Sequence, residues 1–229
     1  MDSFVERFDI FDLFTTLIPG IIISTLFGIS LSFKYYNLWV SLNNEKYIIF
    51  FIFSYLCGVI FQELGTMADN TFLYKILYGG KPREIFLLGY RKKAFFNDEL
   101  SYKDALKVKD YFVNFLSINN DHATKKTELN SFIFSYCLNM SEMKKITNKS
   151  DKMIVISEMS RSLFWGCIFT IILNIYMIIR YSFFYEFYYV ESSILFILSL
   201  IFLYRKIRYE KYRLRILLRT FLIHIRQNN

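Results

Sequence analysis

LFTTLIPGIIISTLFGISLSF, residues Leu13–Phe33, runs for 21 residues without a charge. As an α-helix such a run rises about 1.5 Å per residue and reaches about 30 Å, the thickness of a bilayer's hydrocarbon core. The flank before it, MDSFVERFDIFD, is acidic. A signal peptide opens on a basic region, so the run is expected to remain in the chain as a membrane helix.

Further apolar runs follow. YIIFFIFSYLCGVIFQ (Tyr47–Gln62) pairs with the first through an expected loop of about a dozen residues, and LFWGCIFTIILNIYMII (Leu163–Ile179) is a third. SSILFILSLIFLY (Ser192–Tyr204) is shorter, with an aromatic stretch upstream. Tyr and Trp favour the headgroup level, so YSFFYEFYYV reads as an interfacial loop between spans three and four. The composition agrees. The chain is 54% hydrophobic and 20% aromatic, against about 45–50% apolar for a soluble domain.

Four spans place the N-terminus, the Glu63–Arg161 segment and the tail on one side. That side holds 25 of the 28 Lys and Arg, and the other holds Lys34, Lys46 and Arg180. The positive-inside rule puts the crowded side in the cytoplasm, with both termini there. The expected fold is all-α: four transmembrane helices per subunit and a helical cytoplasmic domain inserted between spans two and three. The expected divisions are 1–62 for helices one and two and 63–161 for the cytoplasmic domain. Residues 162–204 then hold helices three and four, and 205–229 a basic amphipathic tail.

Within the inserted segment, ELGTMADNTFLYKILYG continues from span two, and GGKP (Gly79–Pro82) breaks the helix. SYKDALKVKDYFVNFLSI opens with Ser101 and Asp104, a variant capping box, and lines Ala105, Val108, Phe112, Phe115 and Leu116 on one face. NNDHATKKTELN and KKITNKSDK read as polar breaks. IFLLGY and MIVIS are short apolar runs that also fit strands.

FDLFTTLIPG, CGVIFQELG, GGKP and EMSRSLFWG together resemble a family of bacterial four-span membrane proteins. Those proteins open with an acidic-aromatic stretch, carry Pro-Gly in span one, place a GG-x-P turn after span two and set an Arg before span three. The resemblance implies this topology in a bacterial inner membrane. It further implies a membrane effector of an antiphage defence locus, working beside a partner enzyme that makes a nucleotide signal.

No catalytic motif stands out, so no enzyme is expected. His122 and His224 lack partners in sequence, and no nucleophile elbow or HExxH is present. GGKPRE lacks the full phosphate-loop pattern. Cys57, Cys137 and Cys167 show no metal-type spacing and read as small buried hydrophobes. Neither metal nor cofactor is expected. A lipid-modifying enzyme using Glu63 or His122 is a remote third reading.

Gly20, Ser24, Gly28 and Ser32 fall four residues apart and form one small-residue stripe on span one. Such a stripe allows close helix packing, within a subunit or between subunits of a homo-oligomer around a pore. In the pore reading, Thr16, Ser24 and Ser32 offer hydroxyls. Pro19, without an N–H, frees a carbonyl and bends the helix. Asn174 in span three is either interhelical glue or a pore position. No carboxylate lies at the middle of any span, which argues against a proton-coupled transporter.

LYRKIRYEKYRLRILLRTFLIHIR (Leu203–Arg226) follows span four without Pro or Gly. Ile207, Leu214, Leu217, Leu218, Phe221 and Ile225 make one face, and Arg205, Arg208, Tyr212, Arg215 and Arg219 another. This amphipathic helix is either a membrane-side anchor or part of an electropositive cap. Such a cap, with Arg83, Arg91, Lys92, Lys93, Lys107 and Lys109, would bind a nucleotide or short oligonucleotide. The net charge of +8 favours an anionic partner without choosing one. The expectation is an oligomeric channel or effector gated at that cap. The competing reading is a non-conducting membrane scaffold for partner proteins.

Overall fold

A computed structural model describes residues 12–41, 45–78, 81–82, 99–115, 126–143, 148–180 and 185–228. Among them the chain is almost wholly helical and holds no strand. Helix α1 (Ile18–Ser41) follows without a break from a π-helical turn, Leu13–Leu17. Helix α2 (Glu45–Ala68) runs through a second π-helical stretch, Asp69–Leu73, into α3 (Tyr74–Tyr78). Then come α4 (Glu99–Phe115), α5 (Lys126–Met143), α6 (Asn148–Arg180) and α7 (Tyr185–Asn228). Among the described residues four stretches are long and apolar enough to cross a membrane: Leu13–Leu31, Tyr47–Leu77, Lys152–Arg180 and Glu186–Arg226.

Several local expectations change. Tyr185–Val190 is the first part of α7 and not a loop. Its tyrosines and Phe187 are compatible with helix once the next apolar run extends it. Lys126–Asn130 and Asn148–Lys152 start α5 and α6, because polar residues are well tolerated in first turns. Ser101 lies inside α4, which begins by Glu99, so it is not the cap. MIVIS is helical within α6, whereas IFLLGY lies outside the described residues.

The chain divides into two compact units. One takes Met1–Thr66 and Val155–Arg208, the other Met67–Ile154 and Tyr209–Asn229. In the first, Ile23, Cys57 and Phe61 are buried together, with Phe27 and Trp165 against them. Phe61 meets Phe27 and Phe169 edge-on, with ring centroids 5.7 and 5.3 Å apart. Edge-to-face pairs of this spacing add about 0.5–1.5 kcal/mol beyond area burial.

In the second unit the apolar face of the basic tail is buried in protein. Leu214, Leu217, Leu218 and Phe221 of α7 join Ala105, Val108 and Phe112 of α4 and Ile133, Phe134 and Cys137 of α5. Phe112 stacks on Phe221 at 5.2 Å and meets Tyr136 edge-on at 5.1 Å. Tyr111 and Tyr136 close on Phe221 at 5.8 and 5.9 Å. This aromatic core ties three helices that would each be a half-exposed amphipath alone.

Candidate functional site

In the first unit, α1 and α2 approach backbone to backbone. A Cβ on Gly20 would collide with the Ser54 carbonyl oxygen and lie 2.9 Å from the Gly58 nitrogen. A Cβ on Gly58 would collide with the Thr16 carbonyl. Thr16 donates to Gln62 Oε1 at 2.8 Å across the same seam. Ser24 lies buried beside the Cys57 thiol, a weak partner, and its Oγ makes no hydrogen bond. The Ser54 hydroxyl is likewise buried without one. This is the small-xxx-small geometry that drives helix association in lipid: Gly20 and Ser24 on α1 face Ser54 and Gly58 on α2.

Pro19 is buried just after the π-helical turn. Its ring crowds the carbonyl four residues back and it donates no hydrogen bond, so a widened turn is the local relief. The Ile18 N–H reaches back to the Leu13 carbonyl, the five-residue span of that turn.

The seam continues to α6. Side-chain atoms of Trp165 and Arg161 would lie 3.1 and 3.2 Å from a Cβ on Gly65. Gly166 makes room for the Ile23 side chain. Three short motifs far apart in sequence therefore converge: Thr16 and Gly20 from the first, Gly58, Gln62 and Gly65 from the second, Arg161 and Trp165 from the third. The Arg161 Nε is buried without a hydrogen-bond partner.

About fourteen residues along α1, or about 21 Å by helical rise, lies a second polar group. Ser30 donates to both oxygens of Glu191, at 3.2 and 3.4 Å. Asn174 Nδ2 donates to Glu191 Oε2 at 3.0 Å and lies 3.4 Å from Ser192 Oγ. The Tyr188 hydroxyl donates to the Ser30 carbonyl at 3.1 Å. Glu191 is half-buried, while Ser30, Asn174 and Tyr188 are buried. Sequence reading placed Asn174 but missed Glu191, because the fourth apolar run was begun one residue later, at Ser192.

Of the remaining candidates in the stripe, Gly28 has open space where a Cβ would stand, with no atom within 4 Å. Ser32 lies in α1, with its side chain outside the described residues. The structure therefore brings Thr16, Gly20 and Ser24 together on α2, and leaves the Gly28 position unpacked.

Among the cap candidates, Arg83, Arg91, Lys92 and Lys93 lie outside the described residues. Lys107 is exposed and Lys109 partly buried on α4. On α7, Arg208 and Arg219 are exposed and Arg215 is partly buried. Between them Arg213 lies over the Phe134 ring at 5.8 Å, and Glu210 accepts from the Tyr74 hydroxyl at 2.8 Å. These two contacts fix the polar side of the tail and were not evident from spacing. Lys206 is fully buried, another feature the amphipathic pattern did not mark.

Glu63 is exposed, and His122 lies outside the described residues. Among the described residues no group of three or more His, Cys, Asp or Glu is placed to hold a metal ion. All three cysteines are free and buried. No family model, curated protein or solved structure matches the chain.

Proposed function

We propose that the protein is an oligomeric, multi-pass channel or effector of a bacterial inner membrane, gated by an anionic ligand at a basic cytoplasmic face. The observation that carries this reading is α7. It runs unbroken for 44 residues, apolar in its first half and basic in its second. At about 1.5 Å per residue it is about 66 Å long, roughly twice the hydrocarbon core. A single helix of that length offers a mechanical link from a ligand-binding end to a membrane end. Exposed Ile194, Ile197 and Ile201 on its apolar half favour contact with lipid or a second copy.

In this reading the inserted segment and both termini are cytoplasmic, which follows from the distribution of Lys and Arg. Lys107, Lys109, Arg208, Arg215 and Arg219, with Arg83, Arg91, Lys92 and Lys93, supply positive charge for a nucleotide or short oligonucleotide. A partner enzyme of a defence locus would supply that ligand. The ligand can move the gate only through its different affinity for closed and open states.

The second reading is a non-conducting scaffold. It is favoured by the burial of Thr16 and Ser24 in the α1–α2 seam, which removes two hydroxyls from any pore lined by α1. Ion flux from liposomes holding the purified protein, with and without cyclic nucleotides and short oligonucleotides, separates the two. Ligand-dependent flux lost on neutralising Arg91, Lys92 and Lys93 supports the gated channel. No flux from a folded, inserted protein supports the scaffold.

A further inference from the structure

We propose that Lys211, Arg215 and Arg219 form a seat on α7 for a phosphate group of a water-soluble ligand. The inference rests on the proposed reading of an anionic ligand at a basic cytoplasmic face, and it names Lys211, which that reading leaves unused.

The three cations stand four residues apart. They form one row along the helix, with a rise of about 6 Å between neighbours. Lys211 and Arg215 are partly buried, and Arg219 is exposed. The fold therefore grips the row at one end and leaves it open to water at the other.

A like-charged pair one turn apart is unfavourable on any helix, and removal from water makes it worse. The net effect of its surroundings is to push the Lys211 ammonium down, first through burial and then through the Arg215 guanidinium. No neighbouring anion outweighs those two causes. Glu210 is the one carboxylate side chain after Glu191. It lies about 100° round the helix from Lys211 and about 140° from Arg215, and it accepts from the Tyr74 hydroxyl at 2.8 Å. A bound phosphate supplies the missing charge. It offers three strong acceptor oxygens. Arg215 and Arg219 present planar forks of donors to them, and Lys211 a compact ammonium.

Distance along α7 decides the source of the phosphate. The apolar run ends at Tyr204. Headgroups add about 5–8 Å on each side of the hydrocarbon core. Arg205 and Arg208 lie about 2 and 6 Å beyond Tyr204 by helical rise, within that layer. Lys211, Arg215 and Arg219 lie about 10, 16 and 22 Å beyond it, past the lipid phosphates and in water. A soluble phosphate such as a nucleotide fits that position.

The test uses the full chain purified in detergent, with inorganic pyrophosphate as the probe. Binding is read by isothermal titration. Melting is followed in pyrophosphate or chloride at constant ionic strength and pH. Saturable binding is expected. The melting temperature should rise by about 5 °C or more once pyrophosphate is about a hundredfold above its dissociation constant. Lys211→Gln removes the repulsion and the ligand contact together. In chloride it should melt no lower than the wild type. In pyrophosphate it should melt lower, with binding weakened about tenfold or more. Arg215→Lys keeps the charge but loses the fork, and should bind with intermediate strength. Lys75→Gln, an equal change of charge at an exposed position of α3, should leave binding as it was. A Lys211→Gln variant that melts lower in chloride and binds pyrophosphate like the wild type would overturn the proposal, because Lys211 then serves only the fold. Wild-type protein that binds no pyrophosphate would also overturn it. If phosphatidylglycerol added to the micelles then raises melting more than phosphatidylcholine, the phosphate belongs to a lipid headgroup. Flux is read separately. Ligand-dependent flux that persists in Lys211→Gln sinks this seat alone, whereas Lys211-dependent binding in a protein that never conducts sinks the channel and keeps the seat.

Discussion

Replacing Gly20 with alanine adds one methyl group where α1 and α2 are closest. The new carbon would sit 2.9 Å from both the Gly58 nitrogen and the Ser54 carbonyl carbon, and inside the contact radius of the Ser54 oxygen. Carbon contacts are favourable at about 3.5–4.0 Å, so the helices must part by about 1 Å. Both neighbours are backbone and cannot rotate away. Overpacking of this kind costs about 1–3 kcal/mol. The Thr16–Gln62 hydrogen bond, now 2.8 Å, would stretch past its useful range with the same movement. Its loss adds about 0.6–1.7 kcal/mol on the scale of interhelical bonds in membranes.

Gly28→Ala is the matched control. It lies on the same helix and the same stripe, but nothing stands within 4 Å of the new carbon. Any gain in helix propensity is common to both variants and cancels. Gly20→Ala should therefore be about 2–5 kcal/mol less stable than Gly28→Ala. Reversible unfolding in mixed dodecyl sulfate and maltoside micelles measures the difference. Gly58→Ala should resemble Gly20→Ala, and the double variant should fall short of the sum, because the first substitution already parts the seam. Equal stability of Gly20→Ala and Gly28→Ala would refute the close approach.

The other expectations are more local. A double-mutant cycle with Thr16→Val and Gln62→Leu should give a coupling of about 0.6–1.7 kcal/mol in the same unfolding assay. Phe112→Ala empties the centre of the aromatic core and should cost about 3–5 kcal/mol, whereas Phe132→Ala, on an exposed neighbour, should cost clearly less. Burial pushes the Cys137 thiol up to about 12. A raised thiol stays protonated through neutral and mildly basic pH, so the thiolate that reacts is scarce. Maleimide at pH 8 should label none of the three cysteines in the folded protein and all three after denaturation, as read by mass spectrometry. Arg213→Ala should destabilise by about 0.5–1 kcal/mol, the range of a partly exposed cation–π contact, with Arg213→Lys in between.

Much of the helical content was legible because it depends on periodicity within one segment. Ala105, Val108 and Phe112 recur at helical spacing, and all three are fully buried in α4. Leu214, Leu217, Leu218 and Phe221 do the same in α7. The pattern marked each face but could not name its partner, since Phe112 and Phe221 are joined only by tertiary packing. The small-residue stripe was visible in the same way. Which of its members would meet a backbone and which would face open space depended on Ser54 and Gly58 of another helix. Glu191 stayed hidden for two reasons. It follows the aromatic stretch that looked like a loop, and its partner Ser30 lies 161 positions away.

The convergence of the three motifs on one seam has a consequence for how such a chain can vary. Gly20 and Gly58 each exclude a side chain because the backbone of another helix occupies that space, and at Gly65 the Trp165 and Arg161 side chains would have to give by a few tenths of an ångström. A side chain added at Gly20 or Gly58 parts the same two helices, so single substitutions there are penalised even where a compensating pair would be tolerated. Separate stretches of sequence thus behave as one heritable trait. A chain that has drifted everywhere else should still show these positions changing together, with smaller side chains across the seam wherever a glycine has been lost.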